Sequence, residues 1–130
     1  MHKEAVLVTN IRIIHASDFI RVTPEGQLDF EKSKKLLKEI ESASDSLVDY
    51  HIILDTRKAE VEISVGELWH LAAEISKFPK VFSRKTAILC PVEGFDLAKF
   101  LALCVQNRGL EIKAFTSFED TIEWLMANGT

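Results

Sequence analysis

The chain has 130 residues, of which 47% are hydrophobic, and a formal net charge of −4 at pH 7. This size and composition suit one globular domain spanning 1–130, with a core that needs no disulfides. The mild negative charge excludes a general attraction to nucleic acid or to anionic membranes. Cys90 and Cys104 form no CxxC pair, which predicts reduced structural thiols in a cytoplasmic protein. The first residues lack the apolar run of a signal sequence or membrane span, so we expect no membrane insertion.

The N-terminal part predicts a β-hairpin followed by a helix. Ala5–Ile14 and Phe19–Val22 are rich in β-branched residues and are separated by a short turn. Thr23–Gly26 contains a proline and a glycine, which predicts the end of the second strand. Asp29 is then a good N-cap for a helix. The apolar side of that helix would consist of Phe30, Ser33, Leu36, Leu37 and Ile40.

The best-defined local structure is the junction between the central strand and the helix after it. Three aliphatic residues followed by Asp55 predict a strand covered on both faces, whose carboxyl end meets water. Ser64 and Glu67 have the spacing of a capping box. Ile63 and Leu68 flank them as a hydrophobic staple, so we expect a helix to begin at Ser64. Open α/β sheets usually bind ligands at such a strand end and helix N-terminus.

The remaining elements follow the same alternation of strand and helix. The core stripe predicted for the Ser64 helix is Val65, Leu68, Trp69, Ala72 and Ile75. Pro79 marks where this helix has ended, and we expect the lysines and arginines of the following loop to be solvated. Thr86–Cys90 and Glu111–Phe115 read as strands. Thr116–Asp120 opens the last helix with a second capping box. The buried side of this last helix would be Phe118, Ile122 and Leu125.

The helix at about Phe95–Asn107 is apolar on nearly every side. Its expected core stripe is Leu97, Ala98, Leu101, Ala102 and Val105. Phe100, Leu103 and Cys104 add apolar residues outside that stripe. A helix of this kind should be covered on more than one side. A second subunit, a hydrophobic ligand or a neighbouring helix would each provide the cover, and the first of these predicts a homodimer.

The order of elements predicts an α/β domain with a mixed sheet of about five strands and about four helices. Repeated strand–helix units imply parallel neighbours joined by right-handed crossovers after the opening hairpin. Three segments carry a resemblance to a known family: Ile53-Leu54-Asp55 with the crossing to Ser64 and Gly66, then Lys85–Pro91, and then Ala114–Leu125. Together they resemble the SpoIIAA-like family, which belongs with the STAS domains and is also compared with CRAL-TRIO lipid-binding domains.

The resemblance implies two functions. In the anti-sigma-factor antagonists of this kind, a serine at the start of the equivalent helix is phosphorylated, and that serine falls on Ser64. The aspartate before it is replaced here by Ile63 and the second serine by Val65, which departs from the phospho-switch pattern. Glu60 and Glu62 would also repel a phosphate placed nearby. The SpoIIAA-like branch itself implies cytoplasmic proteins for which binding of small hydrophobic ligands has been suggested.

The sequence contains no complete catalytic or metal-binding motif. There is no Walker A pattern and no GxGxxG. The histidines lie on separate predicted elements without zinc spacing. Asp55 with Glu60 or Glu62 could form a carboxylate pair for acid–base chemistry, but an aspartate that bonds loop amides at its strand end is the commoner arrangement. Cys90 beside Pro91 reads as a small buried hydrophobe. We therefore expect no enzyme activity, no metal and no cofactor.

Two functional interpretations remain. The first is a non-enzymatic module that binds a small apolar or amphipathic molecule between the carboxyl ends of the sheet and the Ser64 and Leu97 helices. The second is a regulatory domain that presents this region to a protein partner, with or without phosphorylation of Ser64. The predicted ligand or partner surface consists of Asp55, Arg57, Ser64, Gly66 and Trp69.

Overall fold

The structure, a computed structural model, describes residues 8–14, 19–43 and 50–127, the first of these ranges by its backbone alone. The predicted turn at 15–18 and the start of the first strand lie outside the described residues. The strands are β1 (Val8–Ile14), β2 (Phe19–Asp29), β3 (His51–Asp55), β4 (Ala59–Glu62), β5 (Thr86–Leu89) and β6 (Ile112–Phe115). The helices are α1 (Phe30–Ala43), α2 (Val65–Ile75), α3 (Phe95–Gln106) and α4 (Phe118–Met126), with a 3-10 turn at Val92–Gly94.

The described strands form one mixed sheet, as predicted. Their order is β1-β2-β3-β5-β6, and β4 pairs with β2 off this path. β1 and β2 are antiparallel, whereas the pairs β2–β3, β3–β5 and β5–β6 are parallel. The predicted α/β class, mixed sheet and four helices are confirmed. β4 was not predicted. Its short Ala-Glu-Val-Glu segment was interpreted as a polar crossing, but it pairs in parallel with residues 26–29 of β2.

The prediction that β2 ends at Thr23–Gly26 is wrong. β2 continues to Asp29, with Pro24 opposite Thr9 in the antiparallel pairing with β1. On its other side, β2 pairs with β3 as far as Val22 and with β4 from Gly26 onward. Pro24 lies between these two parallel pairings, so its missing N–H removes no hydrogen bond from either of them. Gly26 has a φ of 94°, a value that glycine adopts without the steric cost of a Cβ.

Helices cover both faces of the sheet. Residues from α1, α2 and α3 share the larger hydrophobic cluster with Ile52 and Ile88 of the central strands. The side chains between these, such as Ile53 and Leu89, point to the opposite face and pack with Leu125 of α4. This alternation explains why β3 and β5 are continuous apolar runs, since each face needs its own core.

The predicted helix starts are confirmed at α1 and α2. The Asp29 carboxylate accepts the Lys32 amide at 2.9 Å, which caps α1. Ser64 and Glu67 make both bonds of the capping box, and the staple residues Ile63 and Leu68 are buried. At α4 the Ser117 hydroxyl accepts from the Asp120 amide at 3.2 Å.

Some of the predicted helix faces are wrong. In α2, Val65 and Trp69 are 54% and 52% exposed, and Leu71 is buried instead. In α3, Leu97 is 37% exposed because it lies at the end of the helix nearest the strand ends. In α4, Phe118 is 38% exposed and Thr121 is fully buried. Val65, Leu97 and Phe118 lie in the first turns of their helices, whereas Trp69 lies in the second turn of α2.

Candidate functional site

A cavity of about 440 Å³ lies between the sheet and the layer of α1, α2 and α3. Its floor is formed by the side chains of the central strands that face these helices, including Ile52, Leu54 and Ile88. Leu68 of α2 and Leu101 of α3 contribute to its roof. A volume of this size is typical of small-molecule sites, which are lined mainly by apolar side chains with few polar groups.

The cavity reaches solvent at the carboxyl ends of β3 and β5. Here its lining includes the exposed residues Arg57, Glu60, Val61, Glu93 and Leu97. Arg57 follows β3, Glu93 follows β5, and Leu97 lies in the first turn of α3. The opening therefore lies where the sequence predicted a ligand site, between the sheet's carboxyl ends and the helices that begin at Ser64 and near Leu97.

Two buried hydroxyl groups interrupt the otherwise apolar interior. Ser33 of α1 is 6% exposed and Thr86 of β5 is 3% exposed, and both line the cavity. Within the part of the chain that the structure describes, neither hydroxyl oxygen has a hydrogen-bond partner. Thr56 also lines the cavity, but its hydroxyl donates to the carbonyl of Leu89 at 3.4 Å. A buried hydroxyl without a partner costs free energy, so Ser33 and Thr86 are the two positions in the cavity wall that favour a polar contact.

Asp55 is buried at the end of β3 and is held by two arginines. Its carboxylate accepts from the Arg57 amide and guanidinium at 2.9–3.1 Å and from Arg21 at 2.8 Å. Burial by itself would raise the pKa of Asp55, but the hydrogen bonds from Arg57 and Arg21 outweigh it and hold the pKa below the ordinary 3.8. The same carboxylate raises the pKa of Arg57. Asp55 therefore positions Arg57 beside the cavity and is not itself a surface residue.

Three other residues of the predicted surface lie on the outer side of α2. Ser64 is exposed and its hydroxyl caps the helix. Gly66 is exposed, and a Cβ added there would meet nothing within 4 Å among the described atoms. Trp69 has the guanidinium of Arg108 5.4 Å from its ring centre. The structure thus separates the predicted residues into a cavity entrance at Arg57 and an exposed strip formed by Ser64, Gly66 and Trp69.

The face predicted for dimer formation is only partly open. Leu103 is 55% exposed, whereas Phe100 and Cys104 are half-buried and pack against the chain's own core. Intramolecular packing thus supplies part of the cover that this helix needs. The homodimer remains a prediction, and Leu103 is the residue on which it mainly depends.

Sequence reasoning missed two structural side chains, Arg21 and Lys85, and did not anticipate the role of a third, Ser33. Arg21 was not considered, although a charged residue within the Phe19–Val22 strand run needs a partner when buried. Lys85 was expected in a solvated loop, but it is 7% exposed and its Nζ donates to the carbonyls of Trp124 and Ala127. Ser33 was assigned correctly to the apolar side of α1, and a hydroxyl within that stripe was the available signal for a polar point in the cavity.

The chemistry of the remaining candidates is limited. Burial raises the pKa of the Cys90 thiol, which lowers its reactivity at neutral pH. Among the residues that the structure describes, no three of His, Cys, Asp and Glu are grouped so that they could hold a metal ion. Within those same residues, no helix has the length and apolar character needed to cross a membrane.

Comparison with solved structures identifies the fold. An uncharacterized protein of the DUF3478 family from Shewanella loihica PV-4, which has a SpoIIAA-like fold, is similar over 96% of this chain and 98% of its own, with a TM-score of 0.62 and 18% identity. The anti-sigma factor antagonist SpoIIAA in its unphosphorylated form gives a TM-score of 0.49 and 14% identity over 90% of this chain and 96% of its own. No protein-family model matches the chain, and neither does any curated protein.

The chain therefore has a SpoIIAA-like fold, as its sequence predicted, and this conclusion rests on the first of the two structures. Because the sequence identity is only 18%, the structural similarity establishes the fold and does not establish the function. The comparison with CRAL-TRIO lipid-binding domains stays a prediction.

Proposed function

We propose that this protein is a non-enzymatic binding module that holds one small apolar or amphipathic molecule in its central cavity. The observation that carries the proposal is the cavity of about 440 Å³, which is lined largely by aliphatic side chains and opens at the carboxyl ends of β3 and β5. Ligands of open α/β sheets bind at this end of the strands. The free thiols Cys90 and Cys104 accord with a cytoplasmic location, which is part of the proposal.

Filling such a cavity would stabilise the fold substantially. In protein cores, unfilled apolar space costs about 24 cal/mol per Å³. On that scale, complete filling of this cavity would gain up to about 10 kcal/mol, before the cost of association is subtracted. After an association cost of at least about 4 kcal/mol is subtracted, about 6 kcal/mol remains, which corresponds to a Kd of tens of micromolar. We therefore expect a ligand to be held mainly by shape and apolar contact.

Fluorescence of N-phenyl-1-naphthylamine, a neutral apolar probe, tests the proposal. Ala98 is a half-buried residue of α3 that lines the cavity. Ala98→Phe should fill part of the space and weaken binding of the probe by at least about tenfold, because the phenyl ring competes for the same volume. Ala73 of α2 is also half-buried but does not line the cavity, so Ala73→Phe is the matched control and should bind like the wild type. Equal losses in both variants, or no binding by the wild type, would refute the proposal.

Mass spectrometry of the purified protein tests whether it carries a natural ligand. Extra mass that is present under native conditions and lost on denaturation would support the proposal and give the ligand's size. The same spectrum tests the second candidate function, since covalent addition of one phosphate survives denaturation and can be mapped to Ser64.

The second candidate is a regulatory domain that binds a protein partner through the outer side of α2. The observation that favours it is the exposure of two large apolar side chains, Val65 and Trp69, next to the exposed Ser64. Exposed apolar groups of this kind are enriched at protein interfaces. Trp69→Ala should then abolish retention of a specific partner by the immobilised protein while leaving probe binding in the cavity intact. Retention unchanged by Trp69→Ala would remove this candidate.

A further inference from the structure

We infer that the ligand of the cavity is a neutral amphipathic molecule with two separate hydrogen-bonding groups, one received by Ser33 and the other by Thr86. This inference rests on the proposed function, because it concerns the chemistry of whatever occupies the same cavity. The observation is that Ser33 and Thr86 both line the cavity, while their buried hydroxyl oxygens have no hydrogen-bond partner among the described residues.

Both hydroxyl oxygens are themselves buried, so each would meet a polar group of the ligand after rotation of its side chain about χ1. Ser33 and Thr86 are at least nine-tenths buried, so water reaches them poorly. A serine or threonine hydroxyl can donate one hydrogen bond and accept two, which suits a ligand hydroxyl, ketone or amide. They lie on different elements, Ser33 on α1 and Thr86 on β5. A purely apolar ligand would leave both hydroxyls unsatisfied, at a cost that a ligand with two polar groups avoids.

The charges at the entrance favour a neutral ligand over a carboxylate. The charged residues in the described lining are Arg57, Glu60 and Glu93, all exposed at the opening. Arg57 is already paired with the carboxylate of Asp55 at 2.9 Å, so the glutamates dominate the entrance. A fatty-acid carboxylate would be repelled there, and the described lining offers no cation deeper in the cavity to receive it. An anionic head group is therefore disfavoured at the entrance, and any ionised group is disfavoured in the apolar interior.

Displacement of N-phenyl-1-naphthylamine by linear probes tests the inference. The probes are α,ω-diols of six to twelve carbons, decan-1-ol and decanoate, so that the spacing of the two hydroxyls is scanned. The best diol should bind at least about tenfold more tightly than decan-1-ol, the equivalent of one well-made hydrogen bond. Decanoate should bind more weakly than decan-1-ol. Ser33→Ala and Thr86→Val should each remove the advantage of the diol over decan-1-ol.

Thermal unfolding without any probe gives a second readout, with a matched control. Thr86→Val replaces an unsatisfied buried hydroxyl with a methyl group and should raise Tm by about 3–5 °C. Thr121 of α4 is also buried, but its hydroxyl donates to the carbonyl of Ser117 at 2.8 Å. Thr121→Val should therefore lower Tm. Equal decreases in the two variants would mean that the Thr86 hydroxyl already has a partner, and the inference would be wrong.

Different results would contradict the proposed function and the inference about the ligand. If the wild type does not bind the naphthylamine, the proposed function fails. If the probes bind but Ser33→Ala and Thr86→Val leave the ratio of diol to decan-1-ol affinity unchanged, the binding function stands and the inference about the ligand is overturned.

Discussion

The Nζ of Lys85 donates a hydrogen bond to the carbonyl oxygen of Trp124 at 2.8 Å, across 39 residues of sequence. A second bond at 3.1 Å reaches the carbonyl of Ala127, and the ammonium also lies 5.3 Å from the centre of the Trp124 ring. The last carbonyls of a helix lack partners within the helix and carry partial negative charge. Lys85 therefore satisfies the end of α4 and fixes it to the start of β5.

Replacing Lys85 by methionine should destabilise the protein by about 2 kcal/mol, because two part-buried carbonyls lose a charged donor. Urea unfolding at pH 7 measures the loss, and amide hydrogen exchange at residues 124–127 should become faster. Lys77 is the control. Its ammonium pairs with Glu74 at 3.1 Å, but the Lys77 side chain is 65% exposed. Lys77→Met should change stability by no more than about 0.5 kcal/mol. A similar small effect for Lys85→Met would show that it does not hold α4 in place.

Asp55→Asn should lower stability at neutral pH and flatten the dependence of stability on pH. The substitution removes the charge shared by Arg21 and Arg57 and should cost about 2 kcal/mol, a figure reduced from that of a fully buried pair because both arginines are about one-third exposed or more. The pKa of Asp55 is lower in the folded state than the ordinary 3.8. Its contribution is therefore complete above the unfolded-state pKa and is lost as the pH falls through the folded-state pKa.

Urea unfolding at pH 7, 5, 4 and 3 measures this effect. The wild type should lose its advantage over Asp55→Asn as the pH decreases below about 4. Asp29→Asn is the control, because asparagine caps a helix as well as aspartate does and the α1 cap at Lys32 should survive. If Asp55→Asn and Asp29→Asn have the same small effect at pH 7, the two arginines do not depend on Asp55.

Local signals in the sequence were sufficient for most of the fold. The Ser64–Glu67 capping box and the aliphatic runs of β3 and β5 are each determined by neighbouring residues, and the structure confirms them. The pairing of Arg21 with Asp55 joins residues that are 34 positions apart. No local pattern reports such a contact, because it depends on β2 and β3 being parallel neighbours in a particular register.

The sequence predicted a ligand site at the edge of the sheet where the cavity opens, but not the part of the cavity that α1 lines. The position of the opening follows from a general property of parallel sheets, that strand ends and helix starts meet at one edge. The volume of the cavity depends on how far α1, α2 and α3 stand from the strands, and that separation is set by many side chains together. Ser33 in an apolar stripe was visible in the sequence, whereas its lack of a partner emerged only from the packing around it.

The α2 cap predicts a specific response to substitution of Ser64. Its hydroxyl accepts the Glu67 amide at 3.1 Å, and Glu67 in turn accepts the Ser64 amide at 2.9 Å. Ser64→Ala should cost about 1 kcal/mol, whereas Ser64→Asp should retain nearly all of the stability because aspartate is an equally good cap. Urea unfolding distinguishes the two. If the two variants lose the same free energy of unfolding, Ser64 does not stabilise α2 as a cap, and its hydroxyl is needed for another reason.

The exposed side of α3 leads to a prediction about assembly. If this face forms a homodimer, Leu103→Glu should give monomers at concentrations where the wild type sediments as a dimer, because a charge would be buried in the interface. Leu103 is a better test than Phe100, since it is 55% exposed and its replacement leaves the core intact, whereas Phe100 packs against that core. Val92, which is 76% exposed outside α3, is the control. Val92→Glu should leave the sedimentation coefficient unchanged, and a wild type that is monomeric at all concentrations would show that α3 is covered sufficiently by its own chain.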